Sequence, residues 1–115
     1  MKIEEGMYVR TKNGIIFKYY PCRNNEYDEE INIYSEWDDD GRNYDCYTIA
    51  NASYNIIDLI EVGDYVNGTE VEEINDKEIM LVDNHLWIDK NVANGLIQEI
   101  LTKEQYENNC YKVEE

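Results

Sequence analysis

The chain has 115 residues, and its 26 Asp and Glu residues against 10 Lys and Arg residues give a formal net charge of −16 at pH 7. This length fits one domain over residues 1–115, and the negative charge argues against direct contact with nucleic acid or an anionic membrane. Three cysteines without a Cys-x-x-Cys pair, and the lack of a signal peptide or long apolar run, predict a cytoplasmic protein with reduced thiols.

The first predicted element is a β-hairpin. Residues 7–12 and 15–20 are rich in Tyr, Val and Ile, which favour strands. Asn13-Gly14 between them is typical of a two-residue type I′ turn, because both residue types tolerate a positive φ. Pro21 is expected to end the second strand, since it lacks the N–H that a sheet needs.

An acidic segment follows. Residues 27–38 alternate between a mostly apolar set and an acidic set, which predicts one strand with an apolar face and an acidic face. The composition of "DDDGR" predicts a turn, and residues 44–49 predict a returning strand. The apolar residues from Ile56 to Ile60 fit either a short helical turn, with Asn51 or Ser53 as its cap, or the start of a strand, and the helical turn is preferred.

The second half begins with a repeat. "IEVGDYVNG" at residues 60–68 shares the pattern I-E-x-G-x-Y-V and an Asn-Gly pair with "IEEGMYVRTKNG" at residues 3–14. Strands are predicted at residues 70–74, 78–82, 86–88 and 96–101, with a turn at Asn94-Gly95. Thr102 and Gln105 form a capping-box pattern for a short helix, and a last strand is predicted at residues 111–113.

Together these elements predict a mainly β fold of the β-rich α+β kind. Its form would be either an antiparallel SH3-like barrel or paired hairpin units, with one or two short helices. The repeated segments, around residues 3–20 and 60–75, are interpreted as folding units, because a turn-entry Gly and an Asn-Gly turn are parts that build a hairpin.

Two segments also carry a resemblance. The stretches "NIIDLIEVGDYVNGTEV" and "LIQEILTKEQYE…YKV", together with the opening "MKIEEGMYVRTKNGI", resemble small uncharacterised proteins from phages and prophages of AT-rich Gram-positive bacteria. Small acidic phage proteins include anti-CRISPR and anti-restriction inhibitors. The resemblance implies a protein of that origin in a host bacterial cell, and it carries over no catalytic residues.

The sequence offers little for metal binding or catalysis. Glu36, Asp38, Asp40 and Gly41 match the first positions of a calcium loop, but Tyr47 stands where the loop needs a Glu, so a solvated acidic turn is favoured. The cysteines are interpreted as small buried residues, and His85, the only histidine, as an exposed turn residue. We therefore predict no enzyme, no cofactor and no metal.

The acidic strand is the sharpest functional feature. Alternate residues on a strand lie about 6.6 Å apart, so its carboxylates could form a spaced row that occupies an Arg- and Lys-lined groove built for phosphates. The alternative is an ordinary solvated face. A second acidic cluster, Glu70, Glu72, Glu73, Asp76 and Glu78, could extend the same surface. The predicted partner-binding residues are Asp28, Glu30, Tyr34, Glu36, Asp38, Asp39, Asp40 and Asp45.

Three hypotheses about function follow. The first is a binding protein, a DNA mimic in form, that blocks the basic nucleic-acid-binding surface of a host defence protein such as a CRISPR effector or a restriction enzyme. The second is a β-barrel interaction or structural module that binds through apolar residues near Tyr8, Tyr65 and Trp87. The third is a small-ligand-binding protein with an aromatic pocket. A homodimer is left open.

Overall fold

Strands are the most common regular structure of the fold, as the abundance of Tyr, Val and Ile predicts. The computed structural model describes residues 2–109, apart from the side chains of Tyr44 and Asn109. The chain divides into two compact units, residues 1–59 and 60–115. Each unit contains one five-stranded antiparallel sheet, and the prediction of a mainly β fold is confirmed. The strand pairings found among the described residues close neither sheet into a barrel.

The first unit contains five strands and a 3-10 helix. The strand order in its sheet is β2-β1-β5-β4-β3, so the first hairpin is joined to a three-stranded meander through β5. The elements are β1 (Tyr8–Thr11), β2 (Ile16–Lys18), β3 (Asn25–Asp28), β4 (Ile33–Trp37), β5 (Asn43–Ser53) and the 3-10 helix (Ile56–Leu59). The helical turn predicted after Ser53 is confirmed.

The second unit contains five strands and two short helices. Its sheet has the order β10-β6-β7-β8-β9. The elements are β6 (Tyr65–Val66), β7 (Thr69–Ile74), β8 (Glu78–Leu81), β9 (Trp87–Asp89), α1 (Lys90–Leu96), β10 (Ile100–Leu101) and α2 (Lys103–Asn109). No helix in the described part of the chain has the length and apolar character needed to cross a membrane.

The core of the first unit is built around Tyr34. Tyr34 is 4% exposed and packs with Val9 and Ile49, which are also buried. The ring centroid lies 4.8 Å from that of Phe17 and 6.4 Å from that of Tyr47. Aromatic pairs at these separations add to the stability gained from apolar burial, so Tyr34 joins β2, β4 and β5 into one core.

The two sequence repeats begin with the same backbone turn. In residues 4–7 and 61–64 the fourth N–H donates to the first carbonyl, at 3.1 Å in each case. The third residue is a glycine with positive φ, +88° at Gly6 and +96° at Gly63. This combination is that of a type II turn, which needs a positive φ at its third residue. The shared glycine is therefore explained by backbone conformation.

The turn in each copy leads into a hairpin closed in the same way. In the first copy, residues 4–19, the Gly6 N–H donates to the Tyr19 carbonyl at 2.9 Å and the Tyr19 N–H donates to the Met7 carbonyl at 2.8 Å. In the second copy, residues 61–71, Val71 takes the place of Tyr19, and the two bonds are 3.0 and 2.8 Å long. The interpretation of the repeat as a hairpin-building unit agrees with this geometry.

The Asn-Gly pairs of the two copies form different turns. Asn67 and Gly68 have φ values of +50° and +83°, as a two-residue type I′ turn requires, and Val66 pairs with Thr69. In the first copy only Gly14 has a positive φ, and the Thr11 N–H donates to the Ile15 carbonyl across three residues. The type I′ prediction is therefore wrong at Asn13-Gly14, where a type I turn with a glycine bulge closes the hairpin.

The end of the second unit also differs from the prediction. Asn94-Gly95 lies inside α1, not in a turn, and the strand predicted over residues 96–101 is reduced to β10. The Asp89 side chain accepts a hydrogen bond from the Asn91 N–H at 2.8 Å and so caps α1. Thr102 caps α2 as predicted, with its hydroxyl accepting from the Gln105 N–H at 3.3 Å. The strand predicted at residues 111–113 lies outside the described residues.

Candidate protein-binding surface

The predicted acidic strand is a hairpin, which changes the placement of its carboxylates. β3 and β4 are antiparallel, and Asp28 lies directly opposite Ile33. The Asp28 carboxylate accepts hydrogen bonds from the N–H groups of Glu30 at 3.0 Å and Ile31 at 3.4 Å, and Asn32 adopts a φ of +57°. These local bonds turn the chain, so the prediction of one strand over residues 27–38 is wrong, and its side chains form no continuous row.

Part of the predicted set faces the core. Tyr34 is buried, and its hydroxyl donates to Glu36 at 2.8 Å. Burial, together with the bond to this carboxylate, raises the pKa of Tyr34 well above its ordinary value. Glu36 pairs in register with Asp45, and both are half-buried on the Tyr34 side of the sheet. Tyr34, Glu36 and Asp45 therefore lie on the side of the sheet that carries the core, and the burial of Tyr34 removes it from the partner-binding residues that the sequence predicts.

The loop between β4 and β5 holds the next three predicted carboxylates. Asp38 is half-buried, and its side chain accepts from the N–H groups of Asp40 at 3.0 Å and Arg42 at 2.8 Å. Asp39 is exposed and accepts from the Asn24 side chain at 2.9 Å. Asp38 therefore shapes the loop, while Asp39 and Asp40 present their charge to solvent.

The outward side of β3 and β4 carries the residues most available to a partner, and we name it the β3–β4 face. Glu26 lies opposite Ser35 in the register, next to the Asp28–Ile33 pair. A shallow depression of about 160 Å³ runs over this side. Its lining residues are Glu26, Asp28, Ile31, Ile33, Ser35 and Trp37.

A second, wider depression adjoins the same face. It has a volume of about 420 Å³ and shares Glu26 and Trp37 with the first. Arg23, Asn24, Asp38, Asp39 and Gly41 complete its lining. The half-exposed Trp37 lies among three carboxylates and Arg23, so it combines an aromatic anchor with a charged, mostly negative rim. Aromatic residues are enriched in protein–protein interfaces, whose rims are polar.

The sequence prediction missed Glu26, Ile33 and Trp37 as members of this face. Their alternation was visible, but a single long strand assigned Ile33 and Trp37 to the apolar side and left Glu26 out. The available signal was the pair of turn-favouring residues Asp28 and Asn32 on either side of Glu29 and Glu30, since Asp side chains often stabilise a turn by bonding to backbone N–H groups nearby. Reading that turn would have placed Glu26 and Asp28 beside Ile33.

The structure also shows where the cysteines and the histidine lie. Cys22 and Cys46 are exposed, so their interpretation as buried residues is wrong, and Cys110 lies outside the described residues. His85 is exposed as predicted, and its Nδ1 lies 2.7 Å from Glu72. Within the described residues no group of three or more His, Cys, Asp or Glu side chains is placed to hold a metal ion.

The residues suggested for an apolar groove are spread over both units. Tyr8 is half-buried on β1, and the Lys18 ammonium lies 5.3 Å from its ring centroid. Trp87 is 40% exposed on β9, which lies three places from β6 and Tyr65 in the second sheet. Tyr65 instead lines a separate pocket with Tyr106.

Comparison of the chain with protein families, with curated proteins and with solved structures found no match. The functional argument therefore depends on the geometry and charge of the chain itself.

Proposed function

We propose that this chain is a non-enzymatic acidic binding protein, and that its β3–β4 face occupies a basic, nucleic-acid-binding surface on another protein. The observation that carries the proposal is the half-exposed Trp37 set among the exposed carboxylates of Glu26, Asp28 and Asp39. A basic groove built for phosphates attracts carboxylates through the same Arg and Lys side chains.

The net charge of −16 supports the same proposal, because it favours fast association with a basic partner and opposes direct binding to nucleic acid. The resemblance to phage proteins supplies the target class, a defence protein such as a CRISPR effector or a restriction enzyme in the cytoplasm of a host bacterium. The proposed mimicry acts through a compact acidic patch with an aromatic centre, and no longer through a linear row of carboxylates.

The test compares two variants of equal net charge. The first carries Glu26→Gln, Glu30→Gln and Asp40→Asn around the β3–β4 face. The matched control carries Glu5→Gln, Asp83→Asn and Glu107→Gln, three exposed carboxylates outside both acidic clusters of the sequence. Proteins captured from a bacterial lysate at low and high salt are identified, and the affinity of the captured partner is measured for each variant and for nucleic acid in competition.

We expect the first variant to bind its partner about ten-fold more weakly and to show a weaker dependence of affinity on salt than the control, since exposed charge contacts contribute up to about 1 kcal/mol each. The control should bind as the unaltered chain does. Equal weakening in both variants would mean that charge acts only through the whole molecule. Binding that is strong and insensitive to salt would favour an apolar interaction module instead.

A further inference from the structure

A pocket in the second unit combines two tyrosines with a carboxylate. It has a volume of about 390 Å³, at the lower end of the range for ligand sites. Its floor is the pairing of β6 with β10, in which Leu101 lies opposite Tyr65. α2 supplies Tyr106 from the side. The lining residues are Tyr65, Gly68, Glu99, Ile100, Leu101 and Tyr106.

The two tyrosines form an aromatic wall. Their ring centroids lie 5.2 Å apart and the ring planes are inclined by 29°. Tyr106 remains 43% exposed and Leu101 remains 42% exposed, so much of this apolar surface is open to a ligand. Gly68, which follows Asn67 in the type I′ turn, has no side chain to fill the entrance.

The charges around this wall are negative. Glu99 lines the pocket, and its carboxylate has no hydrogen-bond or ion-pair partner among the described residues. Glu70 accepts a hydrogen bond from the Tyr65 hydroxyl at 3.3 Å. The Lys103 ammonium on α2 is already engaged, 2.8 Å from the Glu61 carboxylate.

The chemistry of this lining selects a cation. The faces of tyrosine rings attract cations, and a carboxylate beside them adds a directional contact. An anion would meet Glu99 and Glu70, and a purely apolar ligand would bury the Glu99 carboxylate without a partner. A guanidinium group fits best, because it is planar, stacks on aromatic rings and binds a carboxylate through paired N–H donors.

We propose that this pocket binds the guanidinium group of an arginine side chain presented by a partner protein. The proposal stands on residues of the second unit and does not require the β3–β4 face. Its ligand class matches the strong acidity of this unit, which has 14 Asp and Glu residues against four Lys residues, a formal net charge of −10.

The binding test uses the full chain and two capped tripeptides, Gly-Arg-Gly and its neutral analogue with citrulline in place of arginine. Titrations are followed by amide NMR spectra. We expect the arginine peptide to bind about three- to ten-fold more tightly than the citrulline peptide, as a charge-dependent aromatic contact implies. The largest shifts should lie at Tyr65, Glu99, Leu101 and Tyr106.

Matched variants test whether Glu99 and Tyr106 bind the arginine peptide. Glu99→Gln is compared with Glu107→Gln, which removes an exposed carboxylate from α2 outside the pocket lining. Glu99→Gln should weaken the arginine peptide about three-fold or more and leave the citrulline peptide unchanged, and Glu107→Gln should have little effect. Tyr106→Leu, which keeps an apolar side chain at that position, should weaken the arginine peptide to a similar degree.

Equal binding of the two peptides, shifts confined to other residues, or equal effects of Glu99→Gln and Glu107→Gln would each overturn the proposal. The Glu99 and Glu107 pair keeps the test decisive if Tyr106→Leu disturbs folding, since both positions are exposed. The variant of Glu26, Glu30 and Asp40 should bind the arginine peptide normally. A negative result for the β3–β4 face in the lysate experiment is therefore distinguishable from a negative result for the arginine pocket.

Discussion

The two copies of the repeat enter their hairpins through the same turn but differ in the contacts that the residue after its glycine makes. Both enter a hairpin through a type II turn with a glycine of positive φ. In the first copy, Met7 follows the glycine, and its sulfur accepts from the Glu4 N–H at 3.2 Å. In the second copy, Asp64 holds that position, is fully buried, and accepts from the Glu61 N–H at 2.8 Å.

The second carboxylate oxygen of Asp64 extends this difference beyond the hairpin. It accepts from the Lys103 N–H at 3.0 Å, and so ties the start of α2 to the turn. Asn67 acts in the same way toward the segment before β10. Its side chain donates to the Leu96 carbonyl and accepts from the Gln98 and Glu99 N–H groups. The second copy thus organises the residues around the tyrosine pocket through two polar side chains.

The largest effect is expected at Asp64. Asp64→Ala leaves two N–H groups without their acceptor in a buried site, and each such loss costs about 1–3 kcal/mol. We expect a fall of about 3 kcal/mol in the free energy of unfolding, measured by urea denaturation. Met7→Ala, at the matching position of the first copy, should cost about 1 kcal/mol because that side chain is only half-buried. Equal losses at the two positions would contradict the comparison.

A smaller effect is expected at Asn67. Asn67→Ala loses three hydrogen bonds at an exposed site and places alanine at a φ of +50°. We expect a loss of about 2 kcal/mol, of which about 1 kcal/mol is backbone strain. Asn67→Gly keeps the backbone relaxed and should recover that part in the same urea experiment. Asn13→Ala, in a residue without a positive φ, should cost less than either.

The glycines of the type II turns should behave alike. Alanine at Gly6 or Gly63 must adopt a φ near +90°, which costs about 1–2 kcal/mol for a residue with a Cβ. A Cβ at Gly63 would lie 3.5 Å from Lys103 Cδ, an ordinary contact, and a Cβ at Gly6 would meet nothing within 4 Å. Gly6→Ala and Gly63→Ala should therefore lower the Tm of thermal unfolding by similar amounts. A large difference between the two decreases would mean that the turns are not equivalent.

The smallest effect concerns Tyr65, the tyrosine that follows the turn of the second copy. Burial raises the pKa of Tyr65 above its ordinary value of 10.0, and the charge of Glu70 adds to the shift. The folded chain then holds this proton more tightly than the unfolded chain does, so its contribution to stability is complete below pH 10 and is lost as the pH rises further. NMR titration with labelled tyrosine should show this raised pKa, and Glu70→Gln should lower it only in part. A fall all the way to 10.0 would contradict burial as the main cause.

The sequence indicated the elements that local residues decide. The type II glycines, the Asn67-Gly68 turn and the Thr102 cap each depend on neighbouring residues, and each could be identified from the pattern. The β3–β4 hairpin could not be found by alternation alone, because each of its strands alternates just as one long strand would. The four-residue turn pairs Asp28 with Ile33, so residues of opposite parity share a face, and alternation gives no sign of that reversal. The burial of Tyr34 depends on the register of three strands, which alternation does not specify.

The helix α1 was missed for a related reason. Asn94-Gly95 has the composition of a turn and a low helix propensity, yet it lies within a helix begun by the Asp89 cap. The candidate surface was found in part: Asp28, Asp39 and Asp40 belong to the exposed acidic region. The tyrosine pocket is formed by residues from β6, β10 and α2, which are distant in sequence. Local sequence patterns do not predict contacts between such residues.

The order of the strands in each sheet also has a consequence for how the chain folds. Most pairings in each sheet join neighbouring strands in sequence, and such hairpins form within about 1–10 μs. Each sheet has one exception: Tyr8 pairs with Ser53 in the first, and Val66 pairs with Ile100 in the second. These pairings must close a long loop before they gain any contact energy. We therefore expect fast local hairpins in each unit, followed by one slower closure that sets its folding rate.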